Sequence, residues 1–422
     1  MKIFKFGGAS IKNAEGVKNL VRVLNFEGIK NTFVIVSAMG KMTNAFEKVV
    51  YNYLNDTSEL KNSINQIQLF HQDILSELFE REHLIHNQVT QLFGQLQGFL
   101  IQNNNKEYSY VYDQVVCYGE LLATKIVSEF LKDSGIKNNW LDVREIIKTN
   151  SNFRNASVNW EETQLNTQKL NQQELYITQG FISQDAKGNT TTLGREGSDF
   201  TAGILAYCLE AESVTIWKDV DGVLNADPRV FKDTILLQQI AYQEAIEMAF
   251  YGASVIHPKT IKPLENKRIP LYVRSFLNLE NTGTKVSKGA QLVPKTSCFI
   301  VKKNQILVSI SAKDFSFMVE KNLSYIFDLL DHYQIKVNLI QNSAISFSVC
   351  IEDNYSNFTH FHQELSPSFN IKYNEDLTMF TIRHFNLKAI KEIEKKGLLL
   401  LQQTSRETVQ LVIDRSEERR GG

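Results

Sequence analysis

The feature that most constrains this chain is a glycine-rich segment, TTLGREGSDFTAG, which spans residues 191–203. The residues that follow it as far as Leu209 are mostly apolar and helix-forming, and the glycines allow a tight backbone turn into that helix. Ser198 or Asp199 is predicted to cap the helix. Such a helix start directs N–H groups and the positive end of the helix dipole at one point, which suits a carboxylate or a phosphate.

A second segment with the same character lies at the N-terminus. Lys2 to Phe6 reads as a short β-strand that ends at Gly7-Gly8, and Lys5 is placed to reach an anion held by that turn. In the first segment, Arg195 adds a planar guanidinium that binds carboxylates or phosphates. Taken alone, the first segment also fits an ordinary glycine-rich loop with a good N-cap.

Together the two segments resemble the amino-acid kinase family, and within it the members that phosphorylate aspartate; further similar segments cover the chain from Lys2 to about Thr284. The resemblance implies an α/β protein in which residues 1–290 form a three-layer αβα catalytic domain with a mostly parallel central sheet. Residues 291–422 are expected to form ferredoxin-like (βαββαβ) ACT regulatory units, the second of them abbreviated. The implied reaction moves the γ-phosphoryl group of ATP, with Mg²⁺, to the β-carboxylate of L-aspartate.

Composition sets limits on the class of protein. A chain of 422 residues exceeds the length of roughly 250–300 at which single cores stop growing, so two or more domains are expected. With 46 basic and 47 acidic residues, the chain offers no electrostatic reason for a nucleic-acid or membrane partner. The four cysteines lack metal-ligand spacing, and neither a signal segment nor an apolar membrane span is evident, so a reduced, cytoplasmic protein is expected.

The order of strands and helices predicts where ligands bind. The strand Lys2–Phe6, a helix over 14–26 and a buried strand over 32–36 form a βαβ unit, whose ligands bind beyond the carboxyl ends of its strands. Further elements are predicted as packed helices within 54–106, a helix opening at 115–124, strands over 138–143, 175–182, 213–217 and 269–276, and a helix over 241–249. The C-terminal pattern predicts strands over 306–311, 336–340, 345–351, 379–382, 398–402 and 409–413 and helices over 323–333 and 387–396.

Several candidate residues have two interpretations on sequence alone. Glu120 either complements the dipole of a helix that begins nearby or, by the resemblance, receives the amino group of aspartate. Phe181 is either a core residue or a substrate contact. His83 and His86 stand beside two glutamates but are interpreted as a solvated helix face, so no metal-ligating set is predicted.

The resemblance assigns the site residues as follows. Catalytic roles fall to Lys5 and Asp199. The substrate contacts are Ser37, Thr43, Glu120, Phe181, Arg195 and Ser198. The nucleotide contacts are Lys5, Gly7, Gly8, Ser10, Lys218, Asp219, Leu224, Arg229, Ser254 and Val255.

Three positions depart from the family pattern. Ala9 stands where a threonine is common, Glu196 where glycine is frequent, and Ser254 where many members have an ATP-binding lysine. Lys218 or Lys259 could supply the missing charge. No Walker A motif and no protein-kinase catalytic-loop signature occurs, which excludes those two solutions to phosphoryl transfer.

The ACT region is predicted to bind an amino-acid effector and to form a homodimer. In lysine-inhibited relatives the first ACT unit offers acidic side chains to the effector, whereas the corresponding segments here are Val337-Asn338 and Asn342-Ser343-Ala344. We therefore expect lysine inhibition to be weakened or replaced.

Two alternatives remain open at this stage. Another amino-acid kinase, acting on glutamate or a nucleotide, is disfavoured by Glu120, Arg195 and the ACT tail. A non-catalytic amino-acid sensor, in which the three departures mark lost chemistry, is disfavoured by the retention of Lys5 and Asp199.

Overall fold

The computed structural model describes residues 1–253, 256–314 and 316–415. The chain divides into two compact units. The first comprises Met1–Val223, Leu236–Ile246 and Val255–Pro294, and the second comprises Leu224–Ile235, Glu247–Ser254 and Lys295–Gly422.

Helices and strands follow one another along the whole described chain. After a 3-10 turn at Gly8–Ile11, the helices are α1 (Ala14–Glu27), α2 (Met42–Asn55), α3 (Thr57–Leu78), α4 (Ile85–Gln102), α5 (Tyr108–Asp133), α6 (Val143–Ile146), α7 (Trp160–Thr167), α8 (Gly197–Leu209), α9 (Tyr242–Tyr251), α10 (Pro258–Lys267), α11 (Glu320–His332), α12 (Phe358–Leu365) and α13 (Leu387–Glu394). The strands are β1 (Lys2–Phe6), β2 (Thr32–Val36), β3 (Asn139–Leu141), β4 (Lys148–Thr149), β5 (Tyr176–Gln179), β6 (Ile182–Asp185), β7 (Thr190–Thr192), β8 (Ser213–Lys218), β9 (Gln239–Ala241), β10 (Leu271–Ser275), β11 (Thr284–Ser287), β12 (Cys298–Ala312), β13 (Lys336–Asn342), β14 (Ser346–Glu352), β15 (Phe369–Arg383), β16 (Leu398–Thr404) and β17 (Thr408–Asp414).

The first unit is built on a mostly parallel sheet. Among the described residues its strand order is β3-β5-β2-β1-β8-β10-β11-β9, and only the β10–β11 pair is antiparallel. Strand β2 is almost entirely apolar and fully buried, and β1 is buried from Ile3 to Phe6, as expected for a parallel sheet covered on both faces. Consequently the carboxyl ends of β1, β2, β5 and β8 meet along one edge of the sheet.

Trp217 anchors the core beside that edge. Its indole stacks on Phe6 with the ring centroids 6.1 Å apart and meets Phe4 edge-on at 5.9 Å. The guanidinium carbon of Arg274 lies 4.8 Å from the centre of the same indole ring. Three neighbouring strands are therefore tied together by one fully buried aromatic residue.

The predicted elements around the first βαβ unit are confirmed, and the packed helices predicted within 54–106 are α3 and α4. Two predictions were wrong in detail. The helix expected to open near residue 115 begins at Tyr108, so Glu120 lies in its interior. The strand predicted over 175–182 is two strands in different sheets, since the chain breaks at Gly180-Phe181. The segment at 150–173, for which no element was predicted, contains a short helix, α7.

The second unit contains a six-stranded antiparallel sheet, counted over the described residues, with the order β13-β14-β12-β15-β17-β16. The long strands β12 and β15 pair with each other along most of their length. Their pairing register shifts between residues 302 and 307 of β12. Helices α11 and α12 accompany the β13-β14-β12 half, and α13 accompanies the β15-β17-β16 half. The predicted βαββ succession is present, with α12 as an addition that sequence patterns did not indicate.

The described cysteines Cys117, Cys208, Cys298 and Cys350 are free and buried. Within the described ranges, every helix is too short or too polar to cross a membrane.

Candidate active site

A cavity of about 520 Å³ opens at the sheet edge where β1, β2 and β8 end. Its walls come from the ends of those strands, from α5, from the Arg154 loop and from the glycine-rich segment before α8. The lining residues are Lys5, Gly8, Ser37, Ala38, Gly40, Thr43, Tyr112, Glu120, Arg154, Phe181, Gly194, Arg195, Glu196, Gly197, Ser198, Asp199 and Lys218.

An ion pair between Lys5 and Asp199 lies at the centre of this cavity. The Nζ atom of Lys5 is 2.5 Å from a carboxylate oxygen of Asp199, and the side chains are only 11% and 5% exposed. Lys5 lies near the carboxyl end of β1, and Asp199 belongs to the first turn of α8. The pair therefore fixes the start of α8 against the sheet edge.

The start of α8 differs from the sequence prediction. Neither Ser198 nor Asp199 caps the helix, because the helix already begins at Gly197. The N-cap is Glu196, in the left-handed conformation with φ of 52°, and its side chain makes no capping hydrogen bond. Because no side chain caps α8, the positive end of its dipole remains directed at the cavity.

Close backbone approaches shape the same wall. A Cβ atom at Gly180 would lie 2.5 Å from Cβ of Ser198, and one at Gly197 would lie 2.6 Å from the ring of Phe181. Phe181 itself has a φ of 71°, and its N–H donates to the Thr201 hydroxyl at 2.9 Å. Its ring lines the cavity and packs against the main core, and its contact with a substrate stays a prediction.

Glu120 points into the cavity from the interior of α5. It is 2% exposed, and one of its carboxylate oxygens has no hydrogen-bond partner among the described residues. Burial raises the pKa of this carboxyl to about 8, although the Ala38 backbone partly opposes the shift. A buried acidic group without a partner is suited to receive a cation from a ligand.

Sequence reasoning did not identify Arg154 and Tyr112, which both line the cavity. Arg154 has a φ of 66°, and its guanidinium carbon lies 4.7 Å from the ring centre of Tyr112 and 5.2 Å from that of Tyr108. Such a conformation in a residue other than glycine is typical of functional sites. The stacked guanidinium of Arg154 lines the same cavity as Arg195.

Asp113 links the Arg154 loop to β7 through hydrogen bonds. Its buried carboxylate accepts hydrogen bonds from the Arg154 N–H at 3.0 Å, the Thr192 N–H at 2.9 Å and the Thr192 hydroxyl at 2.8 Å. Burial raises the pKa of Asp113 to about 6. No local pattern reveals this residue, because its partners are far away in sequence.

Other candidate residues lie outside the cavity lining. Gly7 and Asp219 are not among the lining residues, and the Ser10 hydroxyl donates to the Trp217 carbonyl at 3.2 Å. Leu224 and Arg229 belong to the second compact unit. There Arg229 pairs with Asp227, with Nη2 2.7 Å from Oδ2. Ser254 and Val255 lie outside the described residues.

The structure shows the environment of two of the positions that depart from the family pattern, Ala9 and Glu196, and of the two candidate replacement lysines. Ala9 is exposed. The Glu196 carboxylate accepts a hydrogen bond from the His257 backbone N–H at 3.0 Å. Lys259, one of two candidates to replace the expected lysine, donates to Asn155 at 2.5 Å and is absent from the cavity lining, whereas Lys218, the other, is present.

The chain is therefore an α/β protein with a parallel sheet and, at the carboxyl ends of its strands, a cavity lined in part by basic side chains. The model of the Amino acid kinase family matches residues 1–275, and the chain therefore belongs to that family.

Curated relatives agree in type. The chain is 29% identical over 365 residues to the chloroplastic bifunctional aspartokinase/homoserine dehydrogenase 2 of Arabidopsis thaliana, with 82% of this chain covered. It spans only 39% of the length of that relative. It is also 29% identical over 364 residues to the lysine-sensitive aspartokinase 3 of Escherichia coli strain K12, covering 85% of this chain and 79% of the relative.

Solved structures extend the likeness to the whole fold. Aspartokinase III of E. coli in complex with lysine and aspartate matches with a TM-score of 0.84 and 25% identity, over 100% of this chain and 97% of that one. The same enzyme in complex with aspartate and ADP matches with a TM-score of 0.81 over the same shares of the two chains. The predicted fold class, a mostly parallel αβα domain followed by an ACT-type antiparallel region, is confirmed.

We expect Asp113→Ala to destabilise the first unit by about 2–4 kcal/mol, because it leaves the buried Thr192 N–H and the part-buried Arg154 N–H without an acceptor. Asp113→Asn keeps one acceptor oxygen and should cost less. Urea unfolding followed by circular dichroism measures both. Asp73→Ala, an exposed acidic position on α3, is the matched control and should change stability by less than about 0.5 kcal/mol. Equal stability of Asp113→Ala and the control would contradict the role given to Asp113.

Proposed function

We propose that this chain is an aspartate kinase, which transfers the γ-phosphoryl group of ATP to the β-carboxylate of L-aspartate and yields 4-phospho-L-aspartate and ADP. The observation that carries the proposal is the single cavity that brings together the Lys5–Asp199 pair, Glu120 and Arg195 at the uncapped end of α8. The aspartokinase relatives support it, as does the relative solved with aspartate and ADP. The product would supply lysine, threonine and methionine biosynthesis.

The proposed reaction requires positive charge and alignment of the two reactants, and it does not require a general base. An aspartate side chain has a pKa of about 3.9 and is already an anion at neutral pH. The difficulty is its approach to a second polyanion, the nucleotide triphosphate. The site must therefore supply positive groups and hold the two reactants in line.

The residues of the cavity divide these tasks. Lys5 and the first-turn N–H groups of α8 neutralise the transferred phosphoryl group, and Asp199 holds the Lys5 ammonium in position. Arg195 binds the α-carboxylate of aspartate, and Glu120 receives its ammonium group. Ser37, Thr43, Phe181 and Ser198 complete the substrate pocket. The proposed nucleotide contacts include Gly8 and Lys218 of the cavity lining. The others lie outside that lining or outside the described residues, and they are Gly7, Ser10, Asp219, Leu224, Arg229, Ser254 and Val255.

The donor set fits a Mg²⁺ ion that arrives with ATP. Of the carboxylates that line the cavity, Asp199 is paired with Lys5, Glu196 is bound to the His257 N–H, and Glu120 has a raised pKa. Mg²⁺ commonly uses one or two carboxylates together with substrate phosphates, and Asp199 is the group here that fits this role. When bound, the ion neutralises phosphate charge.

Lys5→Ala and Asp199→Asn should each lower kcat by about 10²–10³-fold, because each removes a group that acts on the transferred phosphoryl group. The assay is ATP-dependent and Mg²⁺-dependent hydroxamate formation, in which hydroxylamine traps the acyl phosphate, with aspartate and glutamate offered separately. Lys2→Ala, on the same strand but outside the cavity lining, is the matched control and should retain activity.

The same assay separates the alternatives. Product from aspartate alone, lost in the two variants, supports aspartate kinase. Product from glutamate indicates another amino-acid kinase. Intact aspartate binding with no product from either amino acid indicates a sensor that has lost its chemistry, in which Ala9 and Glu196 are part of the loss.

The KM for aspartate should fall as pH rises from about 6.5 to 8.5, because the Glu120 carboxyl, with its pKa near 8, is mostly protonated at the lower end. Only the ionised form pairs with the substrate ammonium, so deprotonation favours binding. Glu120→Gln should raise the KM by about tenfold or more and remove this pH dependence. A wild-type pH profile that persists in Glu120→Gln would show that another group titrates.

We further propose that residues 1–290 form the catalytic domain and that the ACT region at 291–422 binds an amino-acid effector and forms a homodimer in the cytoplasm. The effector site differs from that expected of a lysine-sensitive enzyme. On β13 the Asn338 side-chain oxygen accepts from the Lys302 ammonium at 2.7 Å, and its amide donates to Gln305 at 2.7 Å. An uncharged residue that already binds a cation of the chain is a poor partner for a free lysine.

Millimolar L-lysine should change the aspartate kinase rate by less than about twofold, because a cationic ligand lacks a carboxylate partner here. The rate is compared with that in an equal concentration of sodium chloride, which controls for ionic strength. Strong inhibition by lysine alone would disprove the proposal that this response is weakened.

A further inference from the structure

A second cavity, of about 290 Å³, lies in the first unit away from the residues assigned above. It is formed by one face of α4, by α5, by the end of β3 and by the start of α6. The lining residues are Gln88, Gln91, Leu92, Gln95, Leu121, Lys125, Trp140, Asp142 and Arg144. Its size is at the lower end of the range for ligand pockets, so it suits a small molecule.

Lys125 gives this cavity an uncompensated positive charge. Its Nζ atom lies 3.4 Å above the ring of Trp140, and within the described chain no carboxylate lies within ion-pair distance of it. Burial lowers the pKa of this half-buried ammonium. The nearest acids are engaged elsewhere, since Glu129 pairs with Lys132 at 2.8 Å and Asp142 with Arg144 at 2.6 Å.

The Asp142 carboxylate forms its ion pair with Arg144 and acts on Lys125 only at longer range. The Arg144 guanidinium donates to both Asp142 oxygens and to the Thr190 hydroxyl at 3.1 Å. The pair is therefore neutral as a unit. An anionic group of a ligand is the partner that Lys125 lacks.

A hydrogen-bond acceptor without a partner among the described residues belongs to the same cavity lining. The Oε1 atom of Gln88 is buried and has no donor among the described residues. Gln91 and Gln95 follow at helical spacing on the same face of α4. Because a buried acceptor costs free energy when it is unpaired, the arrangement favours a ligand with a hydrogen-bond donor.

Part of the same lining is apolar. Leu92, Leu121 and the indole of Trp140 form this part, and the indole N–H is already used by the Thr124 hydroxyl at 3.0 Å. A ligand that satisfies all three parts of the lining carries an anionic group, a donor and an apolar portion. A free amino acid with an apolar side chain has this combination.

We propose that this cavity binds a free α-amino acid with an apolar side chain, its carboxylate at Lys125, its ammonium at Gln88 and its side chain against Leu92, Leu121 and Trp140. The site is distinct from the substrate cavity, yet it lies on the same helix. Leu121 follows Glu120 directly, and the Thr124 hydroxyl donates to the Glu120 carbonyl at 2.9 Å.

The test uses fluorine NMR of the full chain labelled with fluorotryptophan, because Trp140 is one of three tryptophans. Trp140→Phe assigns its resonance. L-leucine and L-methionine are titrated separately, each alongside its methyl ester, which lacks the carboxylate, and its N-acetyl form, which lacks the ammonium group. The free amino acid should shift the Trp140 resonance saturably, and the two modified forms should not.

Substitutions locate the two polar contacts. Lys125→Met and Gln88→Leu should each weaken binding, the first by at least about tenfold, because it removes a charge-assisted contact. Lys137→Met, an exposed lysine outside the cavity lining, is the matched control and should bind normally. Unchanged Trp217 and Trp160 resonances confirm that each variant is folded.

Three results would each overturn the assignment. The first is no saturable Trp140 shift with either amino acid at millimolar concentration. The second is equal binding of the methyl ester, which would indicate apolar contact without recognition of the carboxylate. The third is a shift that persists unchanged in Lys125→Met.

Discussion

The buried contact between Lys5 and Asp199 is the interaction on which the candidate site depends. Two charges removed from water carry a large desolvation cost, which is offset only when each keeps a close partner. Loss of either partner would leave an uncompensated charge at the carboxyl edge of the sheet. The pair therefore couples two elements far apart in sequence, β1 and α8, and it sets where the N-terminus of α8 points.

Steric constraints then decide which residues can surround that helix start. Gly180 lies so close to Ser198 that there is no room for a Cβ atom. A Cβ atom at Gly8 would lie 2.7 Å from the carbonyl oxygens of Ala38 and Gly40. These contacts are rigid, because backbone or short side chains lie on the far side. The glycines of the sequence thus mark the places where strand ends, turns and the helix start converge on one cavity.

Much of this could be predicted from the sequence, for a physical reason. Parallel strands buried on both faces are continuous apolar runs, and their carboxyl ends meet at one edge, so Lys5, Ser37 and Phe181 could be placed together without a structure. The boundaries were less predictable. The first two turns of α5 mix aromatic and polar residues, which hid the helix start and the interior position of Glu120. The break at Gly180-Phe181 interrupts an otherwise continuous strand pattern.

Long-range contacts account for what the sequence could not reveal. Arg154 acquires its place from the aromatic rings of α5 and from Asp113, whose carboxylate also binds Thr192. No period or local motif encodes such a set, since its members are brought together only by the packing of α5 against the loop and β7. Backbone conformations of positive φ at residues such as Arg154 are likewise set by that packing.

The charge state of the cavity explains how a chain of net charge −1 can form a site for two anions. Its acidic side chains are each restrained: Asp199 by Lys5, Glu196 by the His257 N–H, and Glu120 by a pKa raised through burial. The guanidinium groups of Arg154 and Arg195 and the dipole of α8 then give the cavity an excess of positive potential. For the proposed reaction, this potential lowers the repulsion between a carboxylate and a triphosphate, while the ammonium of the bound aspartate favours ionisation of Glu120. Binding of aspartate would thereby supply the cationic partner that the Glu120 carboxylate lacks in the free protein.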